Sequence, residues 1–153
     1  LPGERKPSVL LATFEELPLQ ESMAVDWDAL IAARETVAKA LERLRDDGTI
    51  GSALDATVTI YADGVLRENL ERLGEELRFV FITSDALVAP LTDAPTAAID
   101  GQGFKATVGS SQHDKCVRCW HRRADVGDSA EHPEICGRCI ANVDGVGEQR
   151  AYA

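Results

Sequence analysis

The chain has 153 residues, 44% hydrophobic and 27% charged, with a formal charge of −10. That size fits one ordinary soluble domain with a satellite, or two small units, and no apolar run nears the ~20 residues of a membrane span. So negative a chain is not a general polyanion binder, but residues 1–112 hold 10 Lys+Arg against 19 Asp+Glu while residues 113–153 hold 6 against 7. Any nucleic-acid contact is therefore expected to be local and to use the tail. No apolar stretch of the kind a secretory leader needs follows Leu1 to Pro7, and the first residue is not Met. The chain is expected to be a piece of something larger.

Leu1 to Gln20, punctuated by Pro2, Pro7 and Pro18, reads as extended or irregular chain docked on absent parent structure. From Asp26 to Asp47, Trp27, Leu30, Ile31, Val37, Ala38, Leu41 and Leu44 recur at helical spacing, with Asp26 as N-cap and Gly48 just past the end. Leu54 to Ala62 alternates apolar and polar and predicts a half-buried strand. Val65 to Leu73 predicts a short helix stopped by Gly74. Leu77 to Thr83, with Phe79, Val80, Phe81 and Ile82, predicts a second, central strand. Ala86 to Leu91 could be another. Thr96–Ile99 and Phe104–Val108 flank Asp100-Gly101-Gln102-Gly103 as a hairpin would, and a polar linker runs from Val108 to Asp114. The expected fold class is α+β: a long amphipathic helix, a small α/β sheet unit, then a four-cysteine knuckle module resembling a zinc ribbon.

All four cysteines lie in the tail, as Cys116-Val117-Arg118-Cys119, sixteen residues, then Cys136-Gly137-Arg138-Cys139. Two residues between cysteines let both thiolates of a knuckle converge on one ion, and two knuckles supply the four tetrahedral sulfurs that zinc prefers. Clustering in one short stretch fits a reducing compartment and a metal better than a disulfide scaffold. Two redox dithiols would need a thioredoxin-like setting, which is missing, and iron–sulfur spacings differ. A site with four cysteines has no open coordination position, so its zinc is structural. Residues 115–153 offer only scattered apolar groups, and metal binding worth ~10–16 kcal/mol supplies what so small a core cannot. His121 and His132 lie close enough in sequence to replace a cysteine, but with four cysteines available they read as surface or supporting groups.

Lys115, Arg118, Arg122, Arg123 and Arg138 crowd the knuckles, with Trp120 and His121 among them. Cations that meet phosphates beside a ring that stacks on an unpaired base would serve a single-stranded contact. Two other readings stand beside this one. Trp120 could be core with the arginines solvated, and a zinc tetrathiolate, itself net negative, attracts arginines without any RNA. No nucleophile–base set, phosphate-cradling loop or paired-carboxylate motif stands out.

Lys115-Cys116-Val117-Arg118-Cys119-Trp120-His121, Asp125-Val126-Gly127 and Glu131-His132-Pro133-Glu134-Ile135-Cys136-Gly137-Arg138-Cys139 together resemble the extreme C-terminus of bacterial isoleucyl-tRNA synthetases. Upstream, Leu1-Pro2-Gly3-Glu4-Arg5, the Trp27 to Glu42 pattern, Ile50-Gly51-Ser52 with Leu54-Asp55-Ala56, and Glu76-Leu77-Arg78-Phe79-Val80 follow in matching order. The resemblance implies an opening segment 1–22, an α+β unit 23–109 following the anticodon-binding helices, and a zinc module 110–153. It implies a monomeric, cytoplasmic parent that charges tRNA(Ile) with isoleucine using ATP. The zinc ligands carry over to Cys116, Cys119, Cys136 and Cys139. Lys115, Arg118, Trp120, His121, Arg122, Arg123 and Arg138 become candidate contacts to tRNA, at its anticodon arm, with the remainder of the synthetase as the other partner. The family signatures His-Ile-Gly-His and Lys-Met-Ser-Lys-Ser are absent, so the chain alone is expected to be no enzyme. The competing readings are a purely structural zinc clamp between domains and a zinc finger of the DNA-glycosylase kind.

Overall fold

The computed structural model describes Ser8, Leu10 and residues 25–152. The expected opening segment therefore lies, apart from those two residues, outside the described residues. Helix α1 spans Trp27–Asp46, and the Asp26 carboxylate accepts the Ala29 N–H at 3.1 Å at its start. The Asp26 N–H donates in turn to the buried Asn69 side chain at 3.2 Å, which fixes where α1 begins relative to the next helix. Gly48, just past the end, has φ 77°, a conformation that costs glycine least. The buried face is Leu30, Ala33, Val37, Ala40 and Leu41, at three- and four-residue spacing. Ile31 and Ala38, expected inside, are exposed, Ile31 to 44%.

Strand β1 (Ala56–Ala62) alternates buried and half-buried positions as its sequence requires. It is followed by α2 (Gly64–Leu73), a 3-10 turn over Gly74–Glu76 and the short helix α3 (Leu77–Phe81). The stretch expected as a central strand is thus helical. Leu77, Val80 and Phe81 are buried at i, i+3 and i+4, a helix face, and the run ends in left-handed backbone at Ile82 (φ 56°). A short, unbroken apolar run satisfies a buried strand and a buried helix alike, so its composition could not choose. The second strand, β2, comes immediately after, at Asp85–Ala89.

β3 (Ile99–Asp100) and β4 (Phe104–Ser110) form the expected hairpin, with a first strand shorter than expected and a second that runs into the stretch read as linker. The sheet order is β2-β1-β4-β3, with β1 parallel to β2 and antiparallel to β4. β1 is interior to the sheet, and its Ala56, Val58, Ile60 and Ala62 are buried in one core with residues of α1, α2 and α3. The last helix, α4 (Gly137–Val143), begins at Cys136. Among the described residues no helix is long and apolar enough to cross a membrane.

Candidate metal centre

Each knuckle is set by its backbone. In the first, the Trp120 N–H donates to Cys116 O at 2.9 Å and the Cys116 N–H to His121 O at 2.9 Å, while Lys115 and Arg122 form an antiparallel bridge. The turn requires φ 67° at Trp120, which remains 62% exposed. In the second, the Gly137 N–H donates to Asp125 Oδ2 at 2.9 Å; a Cβ on Gly137 would stand 2.9 Å from that oxygen, so only glycine fits without displacing the carboxylate. Cys139 then lies one turn into α4.

The folded knuckles bring the four sulfurs within 4.8 Å of one another, with Cys116, Cys136 and Cys139 buried. Cys116 and Cys139 Sγ are 3.7 Å apart, as are Cys119 and Cys136 Sγ. Four sulfurs at ~2.3 Å from a tetrahedral zinc would be separated by about 3.8 Å, so the donor set fits zinc in kind, number and spacing. The sulfurs also receive donors: the Cys136 N–H points at Cys116 Sγ at 3.4 Å and Arg118 Nη1 at Cys139 Sγ at 3.6 Å. Burial works against ionisation of Cys116, but N–H groups of Cys119, Cys136 and Arg118 outweigh it and bring that thiol down to about 6. Burial pushes Cys119 and Cys136 up. Burial therefore disfavours the Cys119 and Cys136 thiolates, and a bound divalent cation would supply the charge that favours them.

Neither histidine joins the sulfur group. His121 Nδ1 meets Cys119 O at 3.2 Å, and its ring stands edge-on to Phe79 with centroids 5.9 Å apart. Burial, with Arg78, Arg138 and Arg123 nearby, holds it below the usual histidine range. His132 meets Asp144.

The basic residues divide into two sets. Arg122 Nε donates to Asp55 Oδ1 at 2.9 Å and its Nη1 to His113 O at 3.2 Å, while its backbone N–H donates to the buried Ser84 hydroxyl, which itself donates to Leu54 O. Burial raises the Asp55 carboxyl, but the Arg122 hydrogen bond, the Lys115 charge and the Ser52 N–H outweigh it and leave it below the usual carboxylate range. Arg123 donates to Ser84 O at 3.3 Å and to Glu75 at 3.0 Å. Arg138 donates to Glu148, whose carboxyl is pulled down to about 2 chiefly by that bond. Glu76 accepts the N–H groups of Ala151 and Tyr152, each at 2.7 Å, and so straps the end of the described chain across the α+β unit. Lys115, Arg118 and Trp120 are exposed, Arg118 through all but its contact with Cys139 Sγ, and Lys115 Nζ lies 6.0 Å from the centre of the Trp120 ring and 3.7 Å from Asp55.

Sequence reasoning missed Asp55, Glu75, Ser84 and Glu148. A carboxylate or a serine carries no local mark of a partner tens of residues away; Asp55 entered only through the Leu54-Asp55-Ala56 resemblance.

The site defines a zinc-finger module, and a family model described as "Zinc finger found in FPG and IleRS" matches residues 114–142. The chain holds one structural zinc. Beyond the finger, the whole chain is similar to isoleucine–tRNA ligases: 50% identical over 163 residues to that of Alkalilimnicola ehrlichii, 49% over 160 to that of Pseudomonas paraeruginosa and 48% over 160 to that of Nitrosococcus oceani. Each match takes in 100% of this chain, which spans 17% of the length of these curated relatives. The resemblance to isoleucyl-tRNA synthetases, read from the tail and from the upstream segments in matching order, thus covers the whole of this chain.

Proposed function

We propose that the chain is the C-terminal, tRNA-contacting region of an isoleucyl-tRNA synthetase, with Cys116, Cys119, Cys136 and Cys139 ligating the zinc. The parent would be a monomeric cytoplasmic enzyme that charges tRNA(Ile) with isoleucine using ATP, and this region would help hold the anticodon arm without itself catalysing a step. The observation that carries the tRNA contact is Trp120. A bulky residue on left-handed backbone costs about 1 kcal/mol, and this one recovers little of that by burial. An exposed ring with Lys115 against it is the surface on which an unpaired base stacks while the cation meets phosphate.

The test is Trp120→Ala in the zinc-loaded chain, with an RNA hairpin carrying the anticodon stem and loop of tRNA(Ile). Stacking is worth about 1–3 kcal/mol per base, so affinity should fall roughly 5- to 150-fold with zinc content unchanged. Unaltered affinity would overturn the contact.

A second reading, in which the zinc module fastens structure together, is favoured by the internal ties of Arg122, Arg123 and Arg138, and the two roles are compatible. The glycosylase-type reading has only residues 114–142 in its favour, whereas similarity to isoleucine–tRNA ligases covers the whole chain.

A further inference from the structure

Where the zinc module meets α3, several guanidinium groups converge. The Arg78 guanidinium stands 4.7 Å from the centre of the Phe79 ring, and its side chain is only 9% exposed. Arg138 approaches the same ring at 5.1 Å and Arg150 at 4.1 Å. Arg78, Arg123, Arg138 and His121 line one cavity beside Cys119 and Cys136, of about 10 Å³, room for a single water. Arg138 is matched by Glu148. Arg78 and Arg123 share Glu75, and both donate to one oxygen of it, Oε2.

That arrangement is unbalanced in a particular way. The two cations are held in place without Glu75: Arg78 by burial and the Phe79 ring, Arg123 by Ser84 O at 3.3 Å and Asp85 at 3.8 Å. The anion is the loose member, 73% exposed in the middle of the 3-10 turn Gly74–Glu76. Burial, and next the Arg123 charge, pull Arg78 below the ordinary guanidinium range. Glu75 is the carboxylate the two forks share, while Asp85 stands 3.8 Å from Arg123. Because Arg78 is buried, Glu75 leaves at small cost only where another anion takes its place on the two forks, which stay aimed there. A phosphate presents several acceptor oxygens to two forks where Glu75 presents one, which is the geometry arginine recognises best.

The geometry points to a phosphodiester subsite formed by Arg78 and Arg123 across the junction of the two units, with Glu75 as an internal stand-in that the RNA backbone displaces. This inference rests on the proposed tRNA contact and adds to it a place, a ligand group and a residue from the α+β unit. It also makes Glu75 an affinity-lowering residue whose removal improves binding.

The experiment uses the zinc-loaded chain and the same anticodon-arm hairpin, with affinity measured between about 50 and 200 mM salt. Glu75→Gln keeps the size of the side chain and removes its charge. Glu68→Gln makes the same charge change on the exposed face of α2 and is the control. Variants are compared at equal zinc content and equal unfolding midpoint. Glu75→Gln should bind severalfold tighter than Glu68→Gln, and one added phosphate contact should make that advantage about threefold larger at the low-salt end. Arg78→Lys keeps the charge but not the fork, and should weaken binding severalfold even if Glu75→Gln fails to fold. Equal binding by Glu75→Gln and Glu68→Gln, or wild-type binding by Arg78→Lys, overturns the subsite. If Trp120→Ala still weakens binding in that case, the tRNA contact survives and only the subsite falls. If the unaltered chain does not bind the hairpin at about 50 mM salt, both fall.

Discussion

Arg122 and Asp55 stand 67 residues apart in sequence, and their side chains meet at 2.9 Å. One belongs to the first cysteine knuckle, the other to the turn that leads into the central strand. The pair converts a metal module and a sheet into one body, and it does so at a carboxylate only 12% exposed. A buried charge whose partner is removed is more costly than the pair was favourable. Arg122→Ala should therefore destabilise the chain by about 2 kcal/mol in urea unfolding while one zinc per chain is retained. A change within ±0.5 kcal/mol would show that the pair contributes nothing measurable.

The same pair sets a pH dependence. The folded Asp55 carboxyl titrates below its ordinary value, so its contribution is fully present above the unfolded value of ~3.9 and is lost as pH falls through the lower folded one. Between about pH 5 and pH 3 the wild type should lose more stability than Asp55→Asn. Acid also competes with zinc for the thiolates, but that loss is common to both chains and cancels in the comparison. Parallel stability curves would remove the pair from the account.

Ser84 is fully buried, donates to Leu54 O and accepts the Arg122 N–H. Ser84→Ala leaves both partners unsatisfied at the junction and should cost about 1–3 kcal/mol. Because its hydroxyl holds the backbone of Arg122 while that residue's side chain holds Asp55, the double variant with Arg122→Ala should depart from additivity by at least 0.5 kcal/mol, roughly the threshold for contacting residues. Strict additivity would mean that the serine and the guanidinium act separately.

Chelation should unfold the cysteine module and spare the sheet. The expected result is rapid amide exchange from Cys136 through Val143 after zinc removal, with β1 and β4 still protected. The module's buried cluster is Cys116, Cys136 and Cys139 with Cys119, Val126 and Ile135 against it, whereas the α+β unit has its own core of seventeen buried side chains from Val25 to Ala106. Exchange that stays slow in both regions would show that the module folds without metal.

Gly101 approaches the ring of Phe104 so closely that a Cβ would lie 2.2 Å from it. Phe104 is buried and pairs with Ala62 across β4 and β1. Gly101→Ala must push that ring out of position and should cost about 1–3 kcal/mol, read as a lowered unfolding midpoint. An unchanged midpoint would mean that the hairpin relaxes freely.

Much of this architecture could be read from sequence because its determinants are local. Spacing alone located Cys116, Cys119, Cys136 and Cys139; alternation located β1; Asp26 and Gly48 marked the ends of α1. Leu77 to Thr83 misled because apolar content without a period does not distinguish a buried helix from a buried strand, and only the tertiary positions of Leu77, Val80 and Phe81 settle it. Arg122, Arg123 and Arg138 were visible as charges near the knuckles, but what each charge faces depends on which distant segment folds against it. Sequence placed them on a basic rim, whereas the fold gives them to Asp55, Glu75 and Glu148.

The strap formed by Glu76 with Ala151 and Tyr152 bears on how the metal returns once lost. Together with the ties of Arg122 and Arg123, it anchors both ends of the stretch that carries the second knuckle, through bonds that involve no sulfur. The 27 residues between Arg123 and Ala151 would, on losing the ion, become a pinned loop rather than a free tail, and a pinned loop has much less conformational freedom to surrender on reclosing. Cys136 and Cys139 would stay within a short search of Cys116 and Cys119. Zinc recapture is then set by a local search whose rate does not depend on refolding the rest of the chain.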